Sequence, residues 1–171
     1  SNVMWSYAKM GIFPEEGLLD VLEAQAVSLA SKGAAEFTGW SVSQIFWAYG
    51  TWLKKPPALL VEKLEGLAVS HCQAPDSFDP RSIANMLWAY ATLAIRPGGE
   101  LDRVLKMQTC LRIADFGAQN IANTMWAYAT LDMSPGEELT ADIERRATAI
   151  ADQLTLRNVS NLLWAYAVLD I

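Results

Sequence analysis

The chain of 171 residues has two cysteines, Cys72 and Cys110, and one histidine, His71. Two thiols cannot build a disulfide framework, and with a single imidazole they fall short of a four-ligand zinc site. Both read as buried, reduced thiols behaving as small hydrophobes. No apolar run reaches the ~18 residues that span a bilayer. The longest candidate, residues 83–95, is broken by Asn85, Tyr90 and Thr92. The opening Ser1-Asn2-Val3-Met4-Trp5 carries no basic segment leading into an apolar one, so no signal peptide is visible. A Gly-rich phosphate loop is missing too, because Arg96-Pro97-Gly98-Gly99-Glu100 reads as a turn opening a helix. With no Ser/His/Asp set and only scattered carboxylates, acid–base and nucleophilic catalysis have no constellation to work with. The expectation is a protein that is not an enzyme, with no metal, cofactor, small-molecule substrate or membrane segment.

Basic residues are in deficit: 13 Lys+Arg stand against 19 Asp+Glu, a net charge of −6. That excludes a uniformly basic nucleic-acid coat but leaves room for a local basic stripe. Ten Gly and seven Pro are too few for a collagen-like or low-complexity chain. What is abundant is apolar surface, at 52% of residues, enough for one domain or a short repeat array with a sizeable core.

That surface is periodic. Trp-Ala-Tyr occurs at Trp47, Trp88, Trp126 and Trp164, with Trp-Ser-Tyr at Trp5, at intervals of 42, 41, 38 and 38 residues. Counting the Trp as position 0, position −10 holds Phe37, Phe78, Phe116 and Leu154, and position −5 holds Val42, Ile83, Ile121 and Val159. Position +9 holds Pro14, Pro56, Pro97 and Pro135. Leu18, Leu60, Leu101 and Leu139 stand at +13, and Leu22, Leu64, Leu105 and Ile143 at +17. Such recurrence marks a repeat protein.

Each unit reads as two helices. The Trp-Ala-Tyr helix starts from N-cap candidates Thr38, Asp79, Gly117 and Thr155, with Pro80 at a first helical position. Its positions −5, −1, +2 and +3 share one apolar face, and it should stop near +7, before the proline. That proline opens a second helix with acidic first turns such as Glu15-Glu16 and Glu137-Glu138. Length differences fall in turns such as Gln73-Ala74-Pro75-Asp76-Ser77. The predicted fold is all-α, an α-solenoid of stacked helical hairpins, with units near 1–37, 38–78, 79–116, 117–154 and a half unit at 155–171. Asn2 occupies the −3 position that Asn85, Asn123 and Asn161 hold elsewhere. The chain is therefore expected to be a piece of a longer array.

The pattern Phe-x4-Ile-Ala-Asn-x-Met-Trp-Ala-Tyr-Ala-Thr-Leu, over residues 116–131, resembles the octotricopeptide repeat, a family of helical-hairpin units found mainly in organellar gene-expression factors. The related heptatricopeptide repeats, often joined to a RAP domain, are similar as well. The units at Trp88 and Trp126 match best, whereas the unit at Trp47 has Gln44 for Asn, Gly50 for Ala and Trp52 for Leu. The resemblance implies sequence-specific binding of single-stranded RNA, about one nucleotide per repeat, in chloroplast or mitochondrial RNA stabilisation, processing or translation.

Helix geometry selects the surface. Positions −7, −3 and +4 form a polar stripe opposite the apolar face. It reads Trp40-Gln44-Thr51, Arg81-Asn85-Thr92, Gln119-Asn123-Thr130 and Arg157-Asn161-Val168. Arg, Asn and Gln can bond base edges, and Trp or Arg planes can stack on bases. Position −6 (Ser41, Ser82, Asn120, Asn158) lies at the helix N-terminus, where free N–H groups suit a phosphate. Lys54, Lys55 and Arg96, in the following turn, can reach backbone phosphates. Each assignment has a plainer counterpart. The Trp and Tyr of the motif can simply pack between repeats, the Asn at −3 can bond neighbouring backbone in a ladder, and the carboxylates of the second helices can be solvated faces. A protein-binding scaffold using the same surface is the rival function, favoured by the acidic balance.

Overall fold

The computed structural model describes residues 1–33, 38–71 and 78–171, with only the backbone of His71. Phe37, Cys72 and the turn at 73–77 lie outside the described residues. Regular structure among the described residues is helical: α1 (Asn2–Lys9), α2 (Glu16–Ser31), α3 (Gly39–Trp52), α4 (Ala58–His71), α5 (Pro80–Thr92), α6 (Gly99–Leu111), α7 (Ala118–Thr130), α8 (Glu137–Ala149) and α9 (Leu156–Leu169). Short 3-10 turns follow α6 and α8. Odd-numbered helices, which carry the Trp motif, pack on the next odd-numbered helix, and even-numbered helices pack on even-numbered neighbours. The molecule is thus all-α, with two layers of neighbouring helices.

Local chemistry starts the odd-numbered helices where their caps predict. Thr38 Oγ1 accepts from Ser41 N, Asp79 Oδ1 from Ser82 N at 2.6 Å, and Thr155 Oγ1 from Asn158 N. Gly117 has no side chain to cap with, and there Asn120 Oδ1 accepts from Gly117 N at 3.1 Å. These bonds satisfy donors that the first helical turn leaves open.

The same helices end earlier than the expected +7. The residue at +6 is left-handed in each repeat: Gly11 (φ 69°), Leu53 (53°), Ala94 (49°), Asp132 (51°) and Asp170 (55°). The N–H at +7 then donates to the carbonyl of the motif tyrosine at +2, as from Ile12 to Tyr7, Ile95 to Tyr90 and Met133 to Tyr128. This is a Schellman closure built without glycine in four of five cases. Each of those four side chains bears ~1–2 kcal/mol of left-handed strain, which the recurrent closing bond and buried neighbours offset. The prolines sit one turn residue further on, and α2, α4, α6 and α8 each begin two residues after theirs.

The core follows the repeat positions. Val42, Ile83 and Ile121 at −5, Phe78 and Phe116 at −10, and Tyr49, Tyr90 and Tyr128 at +2 are fully buried. Leu60, Leu64, Leu101, Leu105, Leu139 and Ile143 are buried as predicted. In the first unit the register differs: Leu18 is 38% exposed while Leu19 is 0% exposed, with Leu22 partly buried. Two adjacent leucines offer either residue to the core, and a roll of α2 by one position selects the second. At +3, Gly50 stands where Ala91 and Ala129 stand in the next units. A Cβ on Gly50 would meet Trp88 Cζ3 at 2.9 Å and the Ala89 Cα at 3.2 Å, so α3 and α5 approach closely there.

Several carboxylates of the even-numbered layer are structural rather than merely solvated. Tyr49 Oη donates to Glu23 at 2.5 Å, Tyr90 Oη to Glu65 at 2.6 Å and Tyr128 Oη to Asp102 at 3.0 Å, with Tyr166 bonded to Glu144 in the same sense. Each bond joins the motif helix of one repeat to the second helix of the repeat before it. Glu65 also accepts from Gly98 N at 3.2 Å, and Asp102 is paired with Lys106 at 2.8 Å. Hydrogen bonds to an ionised partner are the stronger kind, about 1.5–3 kcal/mol.

Candidate nucleic-acid interface

Two cavities open on the odd-numbered layer, and the sequence-predicted stripe lines both. The first, about 450 Å³, lies among α1, α3 and α5 and is lined by Trp40, Gln44, Arg81, Ser82 and Asn85 together with Asn2, Trp5, Ser6 and Ser43. The second, about 610 Å³, gathers Asn85, Gln119, Asn123, Arg157, Asn158 and Asn161 beside Trp47 and Trp88. Asn85 borders both. Positions −7, −3 and 0 are brought together because they lie on one side of each helix, and neighbouring helices of the layer set those sides next to one another.

At −7, Trp40 (47% exposed), Arg81, Gln119 and Arg157 project into solvent. Neither Arg81 nor Arg157 makes a hydrogen bond or ion pair with the described residues. At −3, the side chains of Asn85, Asn123 and Asn161 are partly buried and likewise make no hydrogen bond with the described residues. The ladder to neighbouring backbone is therefore not formed. Gln44 differs, being 7% exposed with its Oε1 buried and unpartnered. The motif tryptophans are not sealed between repeats: Trp5, Trp47, Trp88 and Trp126 are half-buried and Trp164 is 44% exposed. Trp5 and Trp47 lie 6.3 Å apart with planes tilted by 38°. Their free faces border the cavities, where aromatic planes can stack on bases.

Other predicted positions are used differently. Ser41, Ser82 and Asn158 at −6 have their N–H groups taken by the N-caps, and Asn120 N donates to Gly117 O, so these donors are not free for a phosphate. Asn120 and Asn158 return the bond to the capping backbone. At +4, Thr51 Oγ1 donates to Trp47 O within its own helix, and neither it nor its equivalents Thr92, Thr130 and Val168 lines either of these two cavities. Lys54, Lys55 and Arg96 lie past the opposite helix ends. Lys55 donates to Ala94 O at 3.4 Å, Arg96 to Asp132 O at 3.3 Å, and Lys54 stands 5.3 Å over the Phe13 ring. Lys55 and Arg96 thus reach the left-handed helix end of the next repeat, Lys54 packs on the unit before it, and all three line neither cavity.

Charge on the second layer is consumed locally. Arg103 pairs with Glu100, Lys106 with Asp102 and Arg145 with Asp142, while Arg146 Nε donates to Phe116 O at 2.8 Å. Burial, reinforced by the facing carboxylates, raises the phenols of Tyr49, Tyr90 and Tyr128 well above the ordinary tyrosine range and that of Tyr166 to about 12. Burial and Asp142 push the Cys110 thiol up to about 11, so it stays protonated at neutral pH. Among the described residues no cluster of three His, Cys, Asp or Glu side chains is placed to hold a metal ion, and no helix is long and apolar enough to cross a membrane.

Asn2, Ser6 and Ser43 join the first cavity without having been singled out by the polar stripe. Asn2 carried a signal, its −3 position; Ser43 at −4 and Ser6 at +1 become visible only once the helices pack. The chain matches no family model and no curated protein.

Proposed function

We propose that this chain is an α-solenoid that binds single-stranded RNA along the odd-numbered layer, in the manner its resemblance to octotricopeptide repeats implies. The observation that carries the reading is the row of side chains without a hydrogen-bond or ion-pair partner among the described residues: Arg81 and Arg157 with Asn85, Asn123 and Asn161, beside half-exposed tryptophans. Partly buried amides that bond nothing among the described residues stand ready for base edges, and the guanidinium groups beside them for bases or phosphates. Trp40, Arg81, Gln119 and Arg157 then read or stack on bases, supported by Gln44, Asn85, Asn123 and Asn161. Arg103, Lys106, Arg145 and Arg146 of the other layer are already engaged, which favours electrostatic attraction on the odd-numbered side despite the net charge of −6. The organellar setting, in RNA stabilisation, processing or translation, rests on the resemblance alone. Selection from a random RNA pool at moderate salt tests the reading. Enrichment of a short motif is the expected result. Failure to enrich any sequence transfers the same surface to the protein-scaffold reading.

A further inference from the structure

The turns that follow the motif helices form an edge of their own. From the left-handed residue to the proline they read Gly11-Ile12-Phe13-Pro14, Leu53-Lys54-Lys55-Pro56, Ala94-Ile95-Arg96-Pro97 and Asp132-Met133-Ser134-Pro135. Successive turns adjoin. Trp52 Nε1 donates to Ile12 O at 3.0 Å, Lys54 Nζ stands over the Phe13 ring, and Lys55 donates to Ala94 O. The first three turns contain no carboxylate, and the nearest acids in sequence, Glu15 and Glu16, open α2. Arg96 has a carboxylate within reach, Asp132 at 3.9 Å. Lys54 and Lys55 engage a ring and a carbonyl, both uncharged, so each keeps its full charge.

Leu53 departs from its equivalents. It is 75% exposed at φ 53°, so it strains the backbone and presents apolar surface to water at once. The helix closure needs the left-handed conformation and not a leucine, since glycine, alanine or aspartate serves at this position in the other repeats. Ile12 and Phe13, in the adjoining turn, are 48% and 45% exposed. We propose that this edge docks on the surface of an anionic lipid bilayer. Leu53, Ile12 and Phe13 enter the boundary between headgroups and acyl chains, and Lys54 and Lys55 meet the lipid phosphates and carboxylates beside them. A bilayer takes separate apolar side chains on an edge, with no cavity to fit them, and these residues line neither cavity of the odd-numbered layer. Salt screens charges beyond about 8 Å, so the net charge of −6 does not outweigh a local pair of lysines. No helix among the described residues is long and apolar enough to cross the membrane, and the contact is peripheral and reversible.

The experiment is flotation with vesicles of phosphatidylcholine alone and of phosphatidylcholine mixed equally with phosphatidylserine. It compares the wild type with Lys54→Gln/Lys55→Gln, Leu53→Asn and Arg81→Gln/Arg157→Gln, and measures the melting temperature of each. Expected is binding to the mixed vesicles and little to the neutral ones. Lys54→Gln/Lys55→Gln lowers the partition coefficient about 30-fold. Leu53→Asn lowers it about 10-fold. Its melting temperature stays equal or rises, because asparagine tolerates the left-handed conformation, so that loss does not come from unfolding. Arg81→Gln/Arg157→Gln floats as the wild type does. Equal binding to both kinds of vesicle, or binding that the Leu53 and lysine variants retain, overturns the proposal. So does a loss confined to Arg81→Gln/Arg157→Gln, which would place the lipid on the odd-numbered layer. Absence of binding to either vesicle overturns the bilayer as occupant and transfers the edge to an acidic protein surface.

Discussion

The two helical layers treat their polar side chains in opposite ways. On the even-numbered helices carboxylates and cations are joined: Glu65 to Tyr90, Asp102 to Tyr128 and Lys106, Asp142 to Arg145. On the odd-numbered helices Arg81, Arg157, Asn85, Asn123 and Asn161 bond nothing among the described residues. The odd-numbered helices carry the larger share of the buried apolar side chains, so the contrast concerns the polar surface and not the core. One surface fastens repeat to repeat; the other is left unsatisfied, the condition a binding face requires.

The largest expected effect breaks the fastening side. Tyr128 is fully buried and bonded to Asp102. Tyr128→Ala should cost about 3–5 kcal/mol in urea unfolding, as large aromatic truncations in a core do. A cost below ~1 kcal/mol would show that the tyrosine latch is incidental. Next comes the tight contact between α3 and α5. Gly50→Ala drives a methyl into Trp88 and the Ala89 backbone, and should destabilise by about 1–3 kcal/mol, although alanine is the residue at this position in the following two units.

A smaller effect comes from alkaline titration. Tyr166, bonded to Glu144 and half-buried, titrates near 12 when folded against 10.0 for a free tyrosine. Between those values the unfolded chain has lost the proton and the folded chain has kept it. Its stabilising contribution is thus whole below pH 10 and declines as pH rises toward 12. Tyr166→Phe should flatten the alkaline arm of a stability–pH curve; an unchanged arm contradicts the linkage. The smallest effect sharpens the other side of the comparison. Arg157→Ala removes an exposed, unpartnered cation and should change stability by no more than ~0.5 kcal/mol in the same unfolding assay, while weakening RNA binding.

Much of this was legible in the sequence because repetition exposes position. Thr38, Asp79 and Thr155 announced the helix starts, and the −7 and −3 residues announced a shared face. The helix ends were hidden, because Leu53, Ala94 and Asp132 adopt a left-handed conformation usually given to glycine. The roles of Glu23, Glu65 and Asp102 were hidden for another reason. Their tyrosine partners stand 25 or 26 residues further along the chain, a spacing no helical period reveals. At −6 the stripe reasoning read Ser82 and Asn158 as ligand contacts, whereas capping competes for them locally. Leu18 was misplaced because periodicity cannot choose between adjacent leucines.

The most direct measurement is the affinity of an unstructured single-stranded RNA as a function of salt, for the wild type and for the Arg81→Gln/Arg157→Gln double variant. Log affinity should fall linearly with log salt, and the slope should lessen by about 0.7 for each arginine that contacts a phosphate. No binding at low salt, or a slope identical in the two proteins, would contradict the assignment of the unsatisfied layer to RNA.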